Sequence, residues 1–319
     1  MKRIGIITSG GDAPGMNAAV RAIVRKAAHY GIEVYGVHRG FMGLINSDFV
    51  KLDISSVGDI LHRGGTILLT ARCDEFKTKE GQEKALKNLE AFGIEGVVVI
   101  GGDGSLRGAN VLSNMGIPTI GIPTTIDNDI AFTDNCIGFD TAVNTVVDAL
   151  NKVRDTATSH ERTFVVEVMG RNAGHLALYT GLASGAEAIL VPEIPFDLDA
   201  ICEKIKSGYK RGKLHSIIVV AEGAASSIEV GKVIKEKTNL ETRVIILGHL
   251  QRGGTPTAYD RILASRFGGK AVDLLKENVK DKMIGLINGE LVLTDIDRVL
   301  STPKPLDMEL YQLADILSL

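Results

Sequence analysis

The chain alternates between short apolar runs and longer amphipathic segments. Ile4–Thr8, Gly96–Ile100 and Ser216–Ala221 are apolar almost throughout, which is typical of strands buried on both faces of a parallel sheet. Met16–Tyr30 and Phe139–Thr158 instead carry apolar residues at helical spacing. Strands that alternate with helices along most of the chain predict an α/β protein with parallel sheets.

The same patterns predict the remaining elements. Further strands are expected at Ile32–Val37, Thr163–Val168, Ala188–Val191 and Val244–Leu247, and further helices at Lys77–Phe92, Leu106–Met115 and Asp197–Arg211. Asn288–Gly289 lies between two apolar segments and predicts a β-hairpin with a two-residue turn. Thr302–Pro305 is expected to link this hairpin region to a terminal helix.

Charged residues or glycines recur where the predicted strands end. The residues at these positions are Gly11, Asp103, Asp127, Arg171, Glu222, His249 and Arg252. In open parallel sheets, ligands bind at this carboxyl edge. Core packing gives no reason to gather arginines there, because an unpaired buried charge is costly, and phosphate is their natural partner. The pattern therefore predicts a ligand that carries phosphate.

Two glycine-rich loops favour phosphate contact. Ser9–Gly15 joins a strand to a helix, but it has neither the Gly-Lys-Ser/Thr of a Walker A loop nor the Rossmann glycine spacing. It could bind an anion through backbone N–H groups or be a plain tight turn. Gly101–Ser105 follows another buried strand, where Asp103 would be placed to hold Mg²⁺.

The loop Pro123–Thr133 carries Asp127, Asn128 and Asp129 directly after a predicted buried strand. If this loop is extended, the two aspartates point to the same side, because strand residues two apart do so. Two neighbouring carboxylates favour a general base with an acidic partner that orients it or contacts a metal. The alternative is an Asp/Asn turn held by its own side-chain hydrogen bonds.

Composition limits the class of protein. With 319 residues, 45% of them hydrophobic, the chain can bury a large core, as two domains or as one with a large lobe. A formal net charge of −3 argues against a general nucleic-acid or anionic-membrane surface. The cysteines Cys73, Cys136 and Cys202 are scattered, which fits a reducing compartment and offers no metal site. With no predicted signal peptide or membrane span, a cytoplasmic globular protein is expected.

Taken together, the loops resemble those of the bacterial-type ATP-dependent 6-phosphofructokinases along essentially the whole chain. The motifs that carry this resemblance are TSGGDAPGMNA (Thr8–Ala18), GGDGS (Gly101–Ser105), TIDND (Thr125–Asp129), RDTATSHERT (Arg154–Thr163), EVMGRNAG (Glu167–Gly174) and GHLQRGG (Gly248–Gly254). GGDG alone also occurs in NAD and diacylglycerol kinases. In this order, with TIDND and GHLQRGG, it is specific to the family.

The resemblance implies two doubly wound α/β domains with the active site in the cleft between them. The larger, ATP-binding domain would comprise residues 1–138 and about 251–301. The smaller, sugar-phosphate-binding domain would comprise residues 139–250 and about 302–319. It also implies a homotetramer whose active and effector sites are shared between subunits.

The resemblance assigns roles in phosphoryl transfer from MgATP to fructose 6-phosphate. ATP would contact Gly11, Arg72, Cys73, Gly102, Asp103, Gly104 and Ser105, with Asp103 on Mg²⁺. Asp127 would take the proton from the 1-hydroxyl of the sugar, supported by Thr125 and Asp129. The transferring phosphoryl group and the sugar would contact Met169, Gly170, Arg171 and Glu222. The existing sugar phosphate would contact His249 and Arg252, with Arg162 and Arg243 from a neighbouring subunit.

A regulatory site is also implied, where ADP activates and phosphoenolpyruvate inhibits. Its residues would be Arg21, Arg25, Asp59, Arg154, Gly185, Glu187, Arg211, Lys213 and His215. By spacing alone, Arg21 and Arg25 are two cations on one helix face, which is usually just solvated. Some relatives have arginine where this chain has Ile54, so regulation is expected to be weaker here.

Two positions predict the phosphoryl donor. Pyrophosphate-using relatives have aspartate at the position of Gly104 and lysine at that of Thr124, so ATP is expected to be the donor. The rival interpretations are a GGDG-type NAD or lipid kinase, which leaves TIDND and GHLQRGG unexplained, and a nucleotide sensor that has lost catalysis. A sensor would need a damaged site, whereas Asp103, Asp127 and Arg171 are all present.

Overall fold

A computed structural model describes residues 1–318 of the chain. Its strands are β1 (Arg3–Thr8), β2 (Glu33–Val37), β3 (Phe49–Leu52), β4 (Gly96–Gly101), β5 (Thr119–Pro123), β6 (Thr163–Val168), β7 (Ala188–Leu190), β8 (Ser216–Ala221), β9 (Thr242–Ile246), β10 (Lys282–Ile287) and β11 (Glu290–Asp295). The helices are α1 (Met16–His29), α2 (Phe41–Asn46), α3 (Lys79–Ala91), α4 (Asp103–Asn114), α5 (Phe139–His160), α6 (His175–Ala183), α7 (Leu198–Lys210), α8 (Ser227–Thr238), α9 (Ala258–Lys276), α10 (Ile296–Ser301) and α11 (Met308–Leu317). Short 3₁₀ segments cover Glu75–Lys77 and Gly248–Arg252.

Within the described residues, the strands form two sheets. One has the order β11-β10-β5-β4-β1-β2-β3, and the other has the order β7-β8-β6-β9. All pairs are parallel except β2–β3 and β10–β11, which add an antiparallel strand at each edge of the first sheet. The predicted α/β fold with parallel sheets is therefore confirmed.

The chain divides into two compact units. Unit 1 comprises residues 1–125, 130–141 and 252–304, and unit 2 comprises residues 126–129, 142–251 and, within the described part of the chain, 305–318. The seven-stranded sheet belongs to unit 1 and the four-stranded sheet to unit 2.

Unit 1 is covered on both faces of its sheet. Ile4 and Ile6 of β1 lie in one apolar cluster with α1 and α9, while Ile7 lies in another with α3 and α4. β4 alternates in the same way, because neighbouring side chains of a strand point to opposite faces. Burial on both faces explains why these strands are apolar at every position.

Unit 2 is built on the same plan. Val165 of β6 and Ile218 of β8 pack with Cys202 and Ile205 of α7 and with Val230 of α8. Other residues of β6 and β8 that face the opposite way are also buried, and α6 packs against β8. Among the described helices, none has the length and apolarity to cross a membrane.

The hairpin prediction is confirmed. β10 and β11 pair from Lys282–Asp295 to Ile287–Glu290. Asn288 and Gly289, which connect them, have φ angles of 51° and 83°. Positive φ at both central residues is what a type I′ turn requires, and asparagine and glycine tolerate it best.

Candidate active site

The carboxyl ends of three adjacent strands bring the glycine loops of unit 1 together. β1, β4 and β5 are neighbours, and their ends are tied by backbone hydrogen bonds. The N–H of Ser9 donates to the carbonyl of Ile100 (3.0 Å), and the N–H of Thr124 donates to that of Gly101 (3.0 Å). The Thr70 hydroxyl donates to the Gly10 carbonyl (2.7 Å), which fixes the segment before Arg72 and Cys73 against the first loop.

α4 begins earlier than predicted. Its first residue is Asp103, not Leu106, so Asp103, Gly104 and Ser105 form the first helical turn. The expectation of a non-helical loop over these residues was wrong, because an acidic side chain favours a helix N-terminus and offsets the two nearby glycines. Asp103 Oδ1 accepts from the N–H of Gly104 (2.6 Å), and Oδ2 lies 3.7 Å from the guanidinium of Arg107. The N–H of Ser105 donates to the carbonyl of Gly102 (3.0 Å), so this helix end offers an anion the N–H of Asp103 and the positive end of the helix dipole.

Gly11 lies directly against the side chain of Arg252. A Cβ on Gly11 would lie 1.6 Å from Arg252 Nη2 and 2.5 Å from its Cζ. Arg252 Nε is buried and has no hydrogen-bond partner among the described residues. The structure thus joins a residue predicted to bind ATP to one predicted to bind the sugar phosphate, which the sequence did not foresee.

Asn17 is a positioning residue that sequence analysis did not single out. It is buried in α1, and its carboxamide donates to the carbonyls of Arg63 (3.1 Å) and Gly64 (3.2 Å) and accepts from the N–H of Ile67 (2.8 Å). A Cβ on Gly64 would lie 2.4 Å from the carbonyl oxygen of Gly254, so the two loops are in close contact. The available signal was its presence in the TSGGDAPGMNA motif.

In unit 2, the general-base candidate Asp127 pairs with Arg171. Asp127 is 5% exposed, and its Oδ2 lies 3.6 Å from Nε of the largely exposed Arg171. Of the two alternatives for this loop, the extended conformation is not found: residues 126 and 127 form a turn, and Asn128 has φ 51°, in the left-handed region. Asparagine tolerates this conformation, so the alternation argument for Asp127 and Asp129 does not apply.

Two carboxylates hold the turn that carries Arg171. Glu222 Oε1 accepts from the N–H groups of Gly170 (3.2 Å) and Arg171 (2.8 Å), which have φ angles of 141° and 52°. Glu193 Oε1 accepts from the N–H of Gly174 (2.8 Å). Glu193 was missed, because nothing in the sequence links it to a glycine 19 residues earlier. Glu222 therefore orients the backbone and keeps its second oxygen for other partners.

Gln251 joins the Met169 turn to the 3₁₀ segment that carries His249. Its side chain is fully buried, accepts from the N–H of Met169 (3.1 Å) and donates to the carbonyl of Gly248 (2.9 Å). The side chain of His249 is exposed on this segment. Gln251 was quoted only as part of the GHLQRGG motif, and its role needed the structure.

Arg162 and Arg243 lie at the opposite edge of the unit 2 sheet. Arg162 precedes β6 and Arg243 is the second residue of β9, whereas the Arg171 turn and Glu222 follow β6 and β8. A six-residue strand such as β6 spans about 20 Å. Within one chain, therefore, these two arginines and the Arg171 turn cannot contact one small substrate.

The amino edge of this sheet also holds the unit 2 part of the predicted effector site. Glu187, buried just before β7, forms an ion pair with Lys213 and accepts from the N–H of Ile217. Arg154 Nη1 lies 3.2 Å from His215 Nε2, and burial lowers the pKa of His215. Arg211 donates to Ser207 Oγ (3.1 Å), and Gly185 is exposed with φ 61°.

The remaining predicted effector residues, Arg21, Arg25 and Asp59, belong to unit 1. Arg25 and Asp59 are exposed, and Asp59 Oδ1 lies 3.8 Å from Nδ1 of His62. Ile54, the position from which weaker regulation was expected, is also exposed.

Asp260 anchors the start of α5 in unit 1. It is fully buried and accepts from the N–H groups of Gly138 (2.9 Å) and Thr141 (2.8 Å) and from the Thr141 hydroxyl (2.5 Å). Burial raises the pKa of Asp260 to about 6, although all three donors favour its charged form. No motif pointed to this residue.

A single carboxylate of unit 1 fits Mg²⁺ that is delivered with a nucleotide. No group of three or more His, Cys, Asp or Glu side chains among residues 1–318 could hold a metal ion. Mg²⁺ is commonly bound through one or two carboxylates together with substrate phosphates. Asp103, a partly exposed carboxylate at a helix N-terminus, suits that arrangement.

The α/β fold, the convergent glycine loops and the acid–guanidinium pair are features of a phosphotransferase. Residues 3–275 match the family model for phosphofructokinase. An ATP-dependent 6-phosphofructokinase from Halothermothrix orenii is 60% identical over 332 aligned positions that cover 100% of both chains.

Solved structures of phosphofructokinases share the fold of this chain. Phosphofructokinase from Saccharomyces cerevisiae superposes with a TM-score of 0.89 at 36% identity, covering 94% of this chain and 45% of that longer one. A pyrophosphate-dependent phosphofructokinase from Marinobacter aquaeolei superposes with a TM-score of 0.85 at 23% identity, covering 97% of this chain and 86% of that one. At this identity the likeness shows the shared fold alone. The chain therefore belongs to the phosphofructokinase family and is a kinase, as the sequence predicted.

Proposed function

We propose that this protein transfers the γ-phosphoryl group of MgATP to the 1-hydroxyl of fructose 6-phosphate, giving fructose 1,6-bisphosphate and ADP in glycolysis. The observation that carries the proposal is the Asp127–Arg171 pair, a buried carboxylate 3.6 Å from a largely exposed guanidinium, in a chain of this family. Phosphoryl transfer needs positioning and charge stabilisation, and an acceptor for one proton.

Asp127 is the general base that accepts the proton of the 1-hydroxyl, and Thr125 and Asp129 support it. Arg171 stabilises negative charge on the transferring group. The Glu222 and Glu193 contacts support this role for Arg171, because they fix the backbone that carries the guanidinium. Met169, Gly170 and the free oxygen of Glu222 contact the sugar.

In unit 1, ATP binds at Gly11, Arg72, Cys73 and residues 102–105. The convergence of these loops at one sheet edge and the N-terminus of α4 support this assignment. Asp103 holds the Mg²⁺ that accompanies ATP, and this ion neutralises phosphate charge when bound.

The sugar phosphate binds His249 and Arg252, and Arg162 and Arg243 complete its site from a neighbouring subunit of a homotetramer. The separation of about 20 Å across the unit 2 sheet supports a contribution in trans, since one chain cannot bring both edges to one small molecule. We expect the tetramer in the cytoplasm, in line with the scattered cysteines.

The donor is ATP rather than pyrophosphate. Apart from its chain neighbours and the backbone of its own helix, a Cβ on Gly104 would have no heavy atom within 4 Å, so an aspartate would fit there and would act through its charge. Thr124 is buried, and its hydroxyl donates to the carbonyl of Ile122 (3.4 Å). Gly104→Asp should therefore weaken the use of ATP by repulsion of its phosphates while the fold stays intact.

Initial rates in a coupled ADP assay, with fructose 6-phosphate and either MgATP or magnesium pyrophosphate, test the proposal. We expect turnover with MgATP, and the pyrophosphate arm is read by formation of fructose 1,6-bisphosphate. No turnover with either donor would favour a sensor without catalysis, and faster turnover with pyrophosphate would refute the donor assignment. NAD and diacylglycerol as acceptors test the rival GGDG-type kinases.

Regulation by ADP and phosphoenolpyruvate is a second function, which the cations Arg154, Arg211 and Lys213 at the amino edge of the unit 2 sheet support, with His215 beside Arg154. Arg211→Ala should weaken inhibition by phosphoenolpyruvate, because a guanidinium that pairs with the anion is lost. Turnover without the inhibitor should stay within about twofold of the wild type. Lys210→Ala, the adjacent exposed cation at the end of α7, is the matched control. Equal inhibition of the wild type and Arg211→Ala would contradict the effector assignment.

A further inference from the structure

One carboxylate bridges the two arginines at the amino edge of the unit 2 sheet. Glu241 Oε2 lies 3.0 Å from Arg162 Nε, and Oε1 accepts from Arg243 Nη2 (2.5 Å). The sheet register produces this arrangement: Thr163 pairs with Thr242, and the N–H of Thr163 donates to the carbonyl of Glu241 (2.9 Å). Parallel pairing thus sets Glu241 beside Arg162.

The charges of this group are unequal. Two guanidiniums face one carboxylate, which leaves a net positive charge and several N–H donors of each arginine uncommitted. Arg162 and then Arg243 lower the pKa of Glu241, so Glu241 stays ionised throughout the neutral range. Arg243 and Glu241 are both exposed, so an incoming anion can reach the pair from solvent.

We propose that Glu241 is an internal counterion of Arg162 and Arg243, and that it lowers the affinity of this arginine pair for phosphate monoesters. A phosphate dianion and a carboxylate compete for the same planar donors. Binding of the sugar phosphate must therefore displace Glu241 or share the guanidiniums with it, against repulsion between like charges. The inference rests on the proposed role of both arginines in binding fructose 6-phosphate.

The test is Glu241→Gln, which keeps the shape and one carbonyl acceptor and removes the charge. KM for fructose 6-phosphate should fall about fivefold at saturating MgATP, with little change in kcat, because an exposed like charge near the phosphate is lost. The fall should shrink in about 1 M salt, where exposed charges are screened. A purely structural role would instead raise KM or lower the amount of folded protein.

Two variants are the controls. Glu236→Gln makes the same change in net charge at an exposed position on α8 and should leave KM for fructose 6-phosphate unchanged. Glu241→Asp keeps the charge and should stay closer to the wild type than Glu241→Gln. Calorimetric titration with fructose 6-phosphate in the absence of ATP measures the affinity directly.

The outcomes separate this inference from the function on which it rests. If Arg162→Ala and Arg243→Ala each raise KM for fructose 6-phosphate but Glu241→Gln leaves KM unchanged or raises it, the counterion role is refuted and the proposed function stands. If neither arginine variant changes KM, the assignment of these arginines to the sugar phosphate is itself wrong. An equal fall in KM for Glu236→Gln would show an effect of net charge alone and would overturn the inference.

Discussion

Replacing Gly11 with alanine should misplace Arg252. The backbone of Gly11 is not in the left-handed region, so alanine is not excluded by its own φ angle. The added methyl group would, however, lie 1.6 Å from Arg252 Nη2. Non-bonded carbon and nitrogen atoms approach to about 3.5 Å, so the guanidinium must move by about 2 Å.

The size of the effect follows from that displacement. A misplacement of about 1 Å can cost 10²-fold in rate, so kcat/KM for fructose 6-phosphate should fall by at least that factor, or about 2.7 kcal/mol. The fold should survive, because the clash involves the end of a flexible side chain. Steady-state kinetics with fructose 6-phosphate varied at saturating MgATP, and then with MgATP varied at saturating fructose 6-phosphate, measure kcat/KM for each substrate separately.

A double-mutant cycle assigns the loss to Arg252. In an Arg252→Ala background the clash is gone, so adding Gly11→Ala should cost less than about threefold. Gly269→Ala is the matched control. Apart from its chain neighbours and the backbone of α9, its Cβ would have no heavy atom within 4 Å, and the change should add about 0.5–1 kcal/mol of helix stability without altering kinetics. If Gly11→Ala keeps kcat/KM within threefold of the wild type, or if its loss is just as large without Arg252, the reasoning is wrong.

Three further predictions test other parts of the molecule. Asp127→Ser should lower kcat by about 10²–10⁴-fold and leave the affinity for fructose 6-phosphate nearly unchanged, because a general base is lost; a kcat within threefold of the wild type would exclude that role. Arg162→Ser and Arg252→Ser should each weaken binding of fructose 6-phosphate. Hybrid tetramers made from the two variants should regain activity at sites that contain both arginines. Hybrids that are no more active than their parents would contradict a shared site. Asp260 has a folded-state pKa of about 6, raised from 3.8, so its contribution to stability is present below pH 4 and is lost as the pH rises through 6. Urea unfolding of the wild type and of Asp260→Asn measures this effect. The unfolding free energy of the wild type relative to that of the variant should fall by about 1.4 kcal/mol between pH 5 and pH 7. If the difference between the two proteins does not change with pH, Asp260 has an ordinary pKa.

The sequence by itself determined the fold class and the family. Strands such as β4 are apolar at every position because both faces are covered, and this local pattern is readable without coordinates. The motifs at strand ends carried the family assignment, since their residue types and order reflect the chemistry of phosphate binding. The start of α4 at Asp103 was predicted three residues too late, and the conformation at Asn128 was left open, because a helix N-terminus and a left-handed residue depend on a few local contacts.

Only the tertiary structure decided which of these residues meet. Gly11 and Arg252 are far apart in sequence, and their contact depends on how the loops pack in unit 1. Arg162 and Arg171 are close in sequence yet lie at opposite edges of one sheet, because β6 runs between them. Glu241 bridges two arginines only because β9 pairs with β6 in one register. Periodicity records which face of an element is buried, whereas strand order and register arise from packing of the whole unit, so contacts between distant residues follow from the fold alone.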